Sequence, residues 1–472
     1  MAVNTKKIKK ISIITIATLL ACLLIYLLFV LIPYMGRPYV STATREAFSM
    51  DNFFGDTTIP EQVMLLDNPN ESFLHRVNIK SEAQEQILLT SFSIHDSTST
   101  DIVVGALLYA ADRGVNVRIL NNGLTGTIPS RYRRVLVEHE NIDIYIFNRL
   151  NLFRLHYINS NLHDKYMIID NRYMILGGRN MSDRYFNPEG YEGRIAFDME
   201  VLVYNTNINY DGVIYKVKDY FNRKVESSHS ALYTRRNKTD NWEEEKDAFI
   251  NIYKEYKEAH ILEEFDYLED TIPVNKITLL TNTFEGTKKE SIIAYNLMMI
   301  ARNSSSITVE VPYVSVTRRN LSRLTEIIRD SEFTLVTNSL GVTGNLPAFS
   351  SYYVDRRRMI NAGAVIYEFQ GENASLHGKT FLFDGRLTVI GSFNLNERSI
   401  RSDTEAVLVI DSEDFYNITK EAINNTISRS LRVDENLNYI ANENVEEIRP
   451  GWSKRAIYTT FGHLFRPLHF LF

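Results

Sequence analysis

The sequence predicts an α/β fold made of two matching halves behind one N-terminal membrane helix. Strand-like and helix-like segments alternate through most of the chain, which is typical of α/β domains. One set of residues occurs twice at identical spacing, which indicates an internal duplication. Residues 11–32 carry no charge, as expected of a helix that crosses a bilayer.

The first half begins its regular structure with a strand at residues 87–92. Helical apolar spacing follows over residues 101–113 and ends at Gly114, and residues 115–120 form a second strand. The second half repeats this order with a strand at 307–311, a helix around 321–330 and a strand at 333–336. The strand–helix–strand order predicts a largely parallel sheet in each half.

Composition excludes several classes of protein. The 472 residues include 52 Lys and Arg against 58 Asp and Glu, a net charge of −6, which argues against a protein that coats nucleic acid. Hydrophobic residues make up 44% and charged residues 23%, so the chain is globular and not disordered. A single cysteine excludes a disulfide framework and a thiolate zinc cluster.

The apolar segment 11–32 spans about 33 Å as a helix, enough to cross the hydrocarbon core. Four lysines precede it, and only Arg37 and Arg45 follow closely. The positive-inside rule therefore predicts a single-pass cell-membrane protein with its N-terminus in the cytoplasm and its catalytic domain outside it. A cleaved signal peptide is the alternative, but the apolar core is too long and Pro33-Tyr34-Met35 is a poor cleavage region.

The predicted organisation has six parts. These are a cytoplasmic stub and anchor (1–35), a connector (36–62), a first half (63–240), an acidic linker (241–270), a second half (271–448) and a basic, aromatic tail (449–472). The acidic segment is expected to be a solvated helix or linker. The tail suits either a lipid headgroup interface or packing of its aromatic residues on the domain.

The repeated residues are a His, a Lys two positions later, an Asp seven positions later and an Asn 17 positions later. The two copies are His163, Lys165, Asp170 and Asn180 in the first half, and His377, Lys379, Asp384 and Asn394 in the second. Repetition at identical spacing predicts that the halves contribute equivalent groups to a site.

Local geometry explains the spacing. Residues 162–169 and 376–383 are strand-like, so the His and Lys of each copy point to the same face. Each Asp begins a tight turn, and on turn chemistry Asp170 and Asp384 are structural. The return strands end in small residues, Gly177-Gly178 and Gly391-Ser392, which let the backbone approach a bound phosphate ahead of the Asn.

This set of side chains suits a phosphodiester. Lys165, Lys379, Asn180 and Asn394 can bind the phosphate oxygens, with Gly178 and Ser392 beside them. One imidazole attacks phosphorus, and the other protonates the leaving oxygen. No metal and no cofactor is predicted.

Carboxylates are expected to set the protonation state of the two histidines. Asp198-Met199-Glu200 aligns with Asp403-Thr404-Glu405 in the repeat. We assign Glu200 and Glu405 to orient the histidines, with Asp198 as the second choice. His156 could line the pocket, although no residue mirrors it in the other half.

The paired blocks, His-x-Lys followed by Asp and Gly-(Gly/Ser)-x-Asn, resemble those of the phospholipase D superfamily over roughly residues 60 to 450. Residues 110–115, 177–180 with 183–186, 337–340, 398–399 and 449–452 are most similar to bacterial cardiolipin synthases of the C type. The resemblance implies two α/β/α sandwich halves in a pseudo-two-fold arrangement around one active site. It also implies a phosphohistidine intermediate, with His163 as nucleophile and His377 as general acid.

The resemblance further implies an enzyme that transfers a phosphatidyl group between phospholipids, with phosphatidylglycerol as the expected substrate and no obligate protein partner. The alternatives are a phospholipase D that uses water, or a phosphodiesterase acting on single-stranded nucleic acid. For the latter, arginines at 131, 133 and 134 or at 356–358 could line a basic cleft, but solvated helix faces are the simpler interpretation.

Overall fold

The computed structural model describes residues 5–456 and 458, apart from 37, 125, 152, 155–156, 158–159, 235–239, 261–264 and 285–288. His156 and most of the aromatic tail, residues 459–472, lie outside the described residues. The described end of the tail contacts the second half, where Lys454 donates to the Gly341 carbonyl and Tyr458 packs on Phe349.

The N-terminal helix α1 (Thr5–Met35) contains a 20-residue stretch, Lys9–Leu28, that is long and apolar enough to cross a membrane. None of that stretch is buried against the rest of the protein. A short helix α2 (Thr42–Glu46) and a 3₁₀ turn (Met50–Asn52) follow. This exposed apolar helix suggests membrane anchoring.

The first half contains nine strands and five helices among the described residues. In chain order they are β1 (Glu61–Leu66), α3 (Pro69–Ser81), β2 (Gln86–Ser91), α4 (Thr98–Asp112), β3 (Asn116–Asn122), α5 (Ser130–Val137), β4 (Ile142–Phe147), β5 (Tyr166–Ile169), β6 (Tyr173–Gly177), α6 (Asp183–Phe186), β7 (Ile195–Phe197), β8 (Glu200–Asn205), α7 (Val213–Glu226) and β9 (Ser230–Leu232).

The acidic segment, expected to be a solvated helix or linker, is mainly helical and buries one of its faces. It forms α8 (Trp242–Ala259), α9 (Tyr267–Asp270) and β10 (Ile272–Pro273). Trp242, Phe249 and Tyr253 are buried, and Gly105 of α4 lets the backbone of α8 approach so closely that a Cβ there would meet the Phe249 carbonyl. The acidic residues occupy the outer face of an amphipathic helix that belongs to the first half.

The second half repeats the same order with additional short strands. Its elements are β11 (Lys276–Thr281), α10 (Ile292–Arg302), β12 (Ser306–Glu310), β13 (Val314–Ser315), α11 (Arg318–Asp330), β14 (Glu332–Asn338), α12 (Leu346–Asn361), β15 (Val365–Phe369), β16 (Ala374–Leu376), β17 (Thr380–Phe383), β18 (Leu387–Gly391), β19 (Leu395–Asn396), α13 (Glu397–Arg401), β20 (Ala406–Asp411), α14 (Glu413–Ile427) and β21 (Ser430–Arg432).

Apart from the edge strand β10 of the first sheet, the two main sheets have the same strand order, which confirms the predicted duplication. The first is β10-β1-β8-β6-β5-β2-β3-β4-β9, and the second is β11-β20-β18-β17-β12-β14-β15-β21. The prediction of largely parallel sheets was wrong. Among the described strands of the two main sheets, only β2, β3 and β4, and their counterparts β12, β14 and β15, pair in parallel. The other pairs are antiparallel because tight turns such as Asp170-Asn171 and Asp384-Gly385, all with positive φ, reverse the chain.

The halves join through backbone pairing and a shared apolar core. Strand β7 of the first half pairs in parallel with β16 of the second, and Leu162 forms an isolated bridge with Thr404. Leu176 and Val201 pack in one core cluster with Ile390 and Leu408 of the other half. The two main sheets therefore pack against each other through β6, β8, β18 and β20, close to the repeated motifs.

Candidate active site

Each repeated histidine lies where its strand leaves its own sheet and contacts the opposite half. Residues 163–165 were predicted to be strand, but they lie between the Leu162 bridge and β5. The His163 amide donates to Thr404 Oγ1 at 3.2 Å, and the His377 amide donates to the Phe197 carbonyl at 2.6 Å. The backbone itself thus carries both imidazoles to the interface.

The imidazole of His163 is held by Glu405 of the second half. Its Nδ1 lies 3.0 Å from both carboxylate oxygens of Glu405. The hydroxyls of Ser392 and Ser399 donate to the same carboxylate, and the edge of the Phe92 ring contacts the imidazole, with centroids 5.2 Å apart. Because Nδ1 is engaged, Nε2 is the nitrogen available for chemistry.

The imidazole of His377 is held by a carboxylate of the first half. Its Nδ1 lies 2.5 Å from Asp198 Oδ2, and the Lys379 ammonium lies 2.9 Å from the same nitrogen. The ring of Tyr185 contacts it edge-on, with centroids 5.1 Å apart. Each half therefore supplies the carboxylate for the other half's histidine.

The structure corrects the assignment of Glu200. Glu200 is fully buried and contacts no histidine that the structure describes; instead Arg76 donates to both its oxygens at 2.9 and 3.0 Å, and Arg179 Nε donates at 3.1 Å. Asp198, the second choice from the sequence, takes its place beside His377. The reason is local charge, since two guanidinium groups neutralise Glu200 where it lies.

In the second half, the glutamate of the Asp-x-Glu segment contacts the histidine, and the aspartate pairs with an arginine. Arg398 donates to Asp403 at 3.2 Å, and the Asn161 amide donates to it as well. Phe393 occupies the position that matches Arg179, so no guanidinium there competes for Glu405. The aligned Asp-x-Glu segments thus use different members for the same task.

The two small residues predicted to lie against a phosphate have other contacts. A Cβ at Gly178 would lie 2.6 Å from Asp198 Oδ1, so the glycine makes room for that carboxylate. Ser392 binds Glu405 and accepts from the Ala406 amide at 3.1 Å. Both residues contact the carboxylates of the site, and their assignment as phosphate-binding residues stays a prediction.

Burial and crowding perturb the two lysines. Burial lowers the pKa of Lys165 to about 8, against the attraction of Glu405. Burial also lowers the pKa of Lys379 to about 7, with repulsion from Lys165 adding to it and Asp198 opposing it. The charge of Lys165 thus acts on Lys379, and two ammonium groups in one electrostatic environment suit a shared anionic ligand.

Burial also shifts the pKa values of the two histidines and of the carboxylates that contact them. Burial and the Lys165 charge lower the pKa of His163, while burial, Lys379 and Lys165 lower that of His377. Burial raises the pKa of Glu405 to about 8 and also raises the pKa of Asp198. His163 itself acts on His377, so the two imidazoles share one electrostatic environment.

The two asparagines lie beside these groups. Asn180 donates to the Tyr185 hydroxyl at 3.2 Å, and the Asn394 amide donates to Ser399. Both side chains are buried, and their Oδ1 atoms accept no hydrogen bond from the described residues. Their positions are compatible with the predicted contact to a phosphate.

Asp170 and Asp384 lie in the predicted turns. Asp170 accepts from the amides of residues 84–86, and Asp384 accepts from those of residues 305 and 306. Each fastens its turn to the start of a central strand, a structural contact. Asp164, between His163 and Lys165, forms a buried ion pair with Lys224.

No group of three or more His, Cys, Asp or Glu side chains among the described residues is arranged to hold a metal ion. The arginines considered for a nucleic-acid cleft have acidic partners: Arg131 pairs with Asp101, Arg134 with Glu245, and buried Arg356 with Glu368. These contacts favour the structural interpretation of both clusters.

Three neighbours of the site were not predicted from the sequence, namely Ser399, Phe92 and Tyr185. Phe92 is the last residue of the predicted strand 87–92, and Tyr185 follows Asn180 by five residues, as Ser399 follows Asn394. Two differences between the repeats indicate in the sequence that the two halves have different contacts: Gly178 against Ser392, and Arg179 against Phe393. They mark where the two halves stop being equivalent.

Comparisons with known proteins agree with the resemblance seen in the sequence. Residues 78–225 and 297–427, together more than half the chain, match the family described as cardiolipin synthase, PLD-like domain. An uncharacterized protein of Helicobacter pylori is 25% identical over 401 residues, covering 75% of this chain and 76% of that protein. Cardiolipin synthase C of Escherichia coli is 26% identical over 396 residues, covering 74% of this chain and 81% of that protein.

Among solved structures, phosphatidylserine synthase of Haemophilus influenzae is similar with a TM-score of 0.64 at 13% identity. The match covers 91% of this chain and all of that one. At this identity the similarity concerns the fold, and it agrees with the two-half arrangement described above.

Proposed function

Since the chain belongs to the phospholipase D-like family described as cardiolipin synthase, PLD-like domain, we propose that it is a membrane-anchored phosphatidyltransferase that forms cardiolipin. The resemblance and the enzyme class predicted from the sequence are confirmed. The proposed substrate is phosphatidylglycerol, whose phosphatidyl group passes to the hydroxyl of a second phosphatidylglycerol with release of glycerol.

One observation carries the proposal: two imidazoles from opposite halves, each held at Nδ1 by a buried carboxylate, beside two crowded ammonium groups. A carboxylate at Nδ1 fixes the tautomer that leaves Nε2 of His163 free to attack, and it stabilises the imidazolium form of His377 that donates a proton, as in the Ser-His-Asp triad. The ammonium groups of Lys165 and Lys379 stabilise charge on the non-bridging oxygens during attack.

In the proposed first step, Nε2 of His163 attacks phosphorus and forms a P–N bond. The P–O bond to glycerol breaks, and His377 gives its proton to the departing oxygen. In the second step, His377 takes the proton of the incoming lipid hydroxyl, which attacks phosphorus and releases His163. Water in place of the lipid hydroxyl would give phosphatidic acid by the same route.

The order of the two histidines can be tested with a phosphatidyl ester of p-nitrophenol, whose leaving group needs no general acid. His377→Ala is expected to release one equivalent of p-nitrophenol per enzyme and to accumulate labelled phosphohistidine. His163→Ala is expected to release none. A burst from His163→Ala alone would reverse the assignment, and full turnover by either variant would exclude the two-histidine mechanism.

The product can be tested by incubating full-length enzyme with phosphatidylglycerol and separating the lipids by thin-layer chromatography. Cardiolipin is the expected product, with the His163→Ala protein as the matched control. Phosphatidic acid alone would indicate a phospholipase D. No lipid product, together with cleavage of a single-stranded oligonucleotide, would favour the nuclease alternative.

The proposed location is the cell membrane, with α1 crossing it once, the N-terminus in the cytoplasm and the catalytic halves outside. The excess of lysines before the apolar stretch supports this orientation. Protease added to spheroplasts is expected to digest the catalytic halves without lysis. Digestion only after lysis would place them in the cytoplasm.

A further inference from the structure

A cavity of about 420 Å³ lies between α10, α11 and the sheet of the second half. We call it the α10–α11 cavity. Its walls are mostly apolar and include Leu297, Met298, Leu324, Val309 and Phe381. The volume is within the range of about 300–1,000 Å³ that small-molecule sites usually have.

The α10–α11 cavity is separate from the reaction centre. Phe393 and Leu395 line it, while Asn394 between them belongs to the repeated motif. None of His163, Lys165, His377 or Lys379 is among its described lining residues. The 391–396 segment therefore forms a wall with the motif on one side and the cavity on the other.

The cavity is built for an apolar occupant. Protein interiors are close-packed and rarely leave voids larger than a water molecule, and water gains few partners in an apolar space. Ala294, Met298 and Ala301 lie on one face of α10, and all three are only half-buried. The two alanines leave the space open where larger residues would close it.

Cationic side chains surround the place where the cavity reaches solvent. Arg45, Arg302 and Arg323 line it, and Arg45 and Arg302 are exposed. Burial lowers the pKa of Arg323, and repulsion from Arg319 and Arg302 lowers it further. Glu326 pairs with Arg302 at 3.3 Å and offsets part of this charge. An apolar cavity with a cationic rim complements an anionic amphiphile.

The rim lies beside the end of the anchor helix. Pro38 and Val40, which follow α1, line the cavity, and Arg401 donates to the Gly36 carbonyl. Just beyond, Glu290 at the start of α10 accepts from the Ser41 amide and the Thr44 hydroxyl at 2.5 and 2.7 Å. The chain that leaves α1 is therefore fastened to the cavity wall.

We propose that the α10–α11 cavity binds an acyl chain of an anionic phospholipid from the membrane in which α1 lies, with the lipid phosphate against Arg45 and Arg323. This lipid is not the one undergoing transfer, because the cavity lies behind the motif wall. Its binding fixes the second half on the bilayer surface next to the anchor. The ligand is recognised by its chain and its negative charge.

The test is photo-crosslinking of the full-length protein in nanodiscs that contain phosphatidylglycerol with a diazirine in the acyl chain. The protein carries His163→Ala, so that the probe is not consumed, and labelled peptides are mapped by mass spectrometry. Labelling of residues 292–302 and 318–330 is expected. Labelling of α1 serves as the internal control, because any membrane lipid contacts it.

Two sets of variants make the result specific. Ala294→Phe with Ala301→Phe fills the cavity and is expected to lower labelling of α10 and α11 at least about fivefold, with α1 unchanged. Ile418→Phe, an exposed residue of α14 outside the cavity, is the matched control. Circular dichroism melting of each protein confirms that it is folded.

Competition by unlabelled lipid needs no cavity-filling variant. Phosphatidylglycerol is expected to displace the probe about tenfold better than phosphatidylcholine, and Arg45→Gln with Arg323→Gln should abolish that preference. Displacement by free fatty acid but not by phosphatidylglycerol would assign the cavity to another amphiphile. Labelling of α1 without α10 and α11, or labelling unaffected by the filled cavity, would overturn the proposal, whatever the outcome of the transfer assay.

Discussion

Replacing Asp198 or Glu200 by its amide tests which carboxylate serves His377. The sequence favours Glu200, whereas the structure has Asp198 Oδ2 2.5 Å from His377 Nδ1 and Glu200 between Arg76 and Arg179. Both changes remove one charge and almost no volume. The effects of the two substitutions on activity and stability should therefore differ only because Asp198 contacts a histidine and Glu200 contacts two arginines.

Asp198→Asn is expected to reduce kcat with little loss of stability. A hydrogen bond to a charged partner contributes about 1.5–3 kcal/mol, and losing it from the imidazolium corresponds to roughly 10- to 150-fold in rate. Burial raises the pKa of Asp198, so its charged form costs folding free energy at neutral pH. The neutral amide removes that cost, and the melting temperature should not fall.

Glu200→Gln is expected to act in the opposite way. Removing one partner from a buried ion pair costs about 3–5 kcal/mol of folding free energy, because Arg76 and Arg179 would keep their charges in the interior. The folded fraction should keep a kcat within about tenfold of the unmodified enzyme, since no contact to a histidine is lost.

The measurements are initial rates of phosphatidyl transfer per folded molecule and thermal unfolding followed by circular dichroism. The reasoning is refuted if Asp198→Asn turns over within a factor of about three of the unmodified enzyme. It is also refuted if Glu200→Gln melts at the same temperature but is the slower of the two.

Three further outcomes are expected. The pKa of Lys379 is about 7 and that of Lys165 about 8, so kcat/KM should fall as pH rises through 7 to 8. Lys379→Arg should move this alkaline decrease in kcat/KM to higher pH. An unchanged pH profile would exclude the lysines as its source. Gly178→Ala should slow turnover, since its Cβ would lie 2.6 Å from Asp198, whereas Gly344→Ala, with open space around it, should not; equal rates would contradict the packing argument. Chelators should leave the rate unchanged, and activity that is lost to a chelator and restored by a metal would contradict the two-histidine chemistry.

Much of the fold could be predicted from local sequence patterns. Alternating segments, the duplicated spacing and the paired turn residues predicted two α/β halves, and the strand order of the two sheets agrees with that duplication. The prediction of largely parallel sheets was wrong because tight turns after residues 169 and 383 make the neighbouring strands antiparallel. The strand–helix–strand segments form only three adjacent parallel strands in each sheet. The acidic segment was expected to be a solvated helix or linker, and its net charge gave no indication of the buried apolar face formed by Trp242, Phe249 and Tyr253.

The sequence by itself determined the groups of the site, because the His, Lys and Asn positions repeat at a spacing that strand geometry makes meaningful. Tertiary structure alone decided how they are paired. Each histidine is held by a carboxylate about 180 or 240 residues away in the chain. The choice between Asp and Glu depends on which carboxylate a nearby guanidinium has already neutralised. This pairing depends on residues that are distant in the chain and close in space. The Asp-x-Glu pattern is the same in both halves, so the sequence alone does not show which carboxylate pairs with an arginine and which with a histidine.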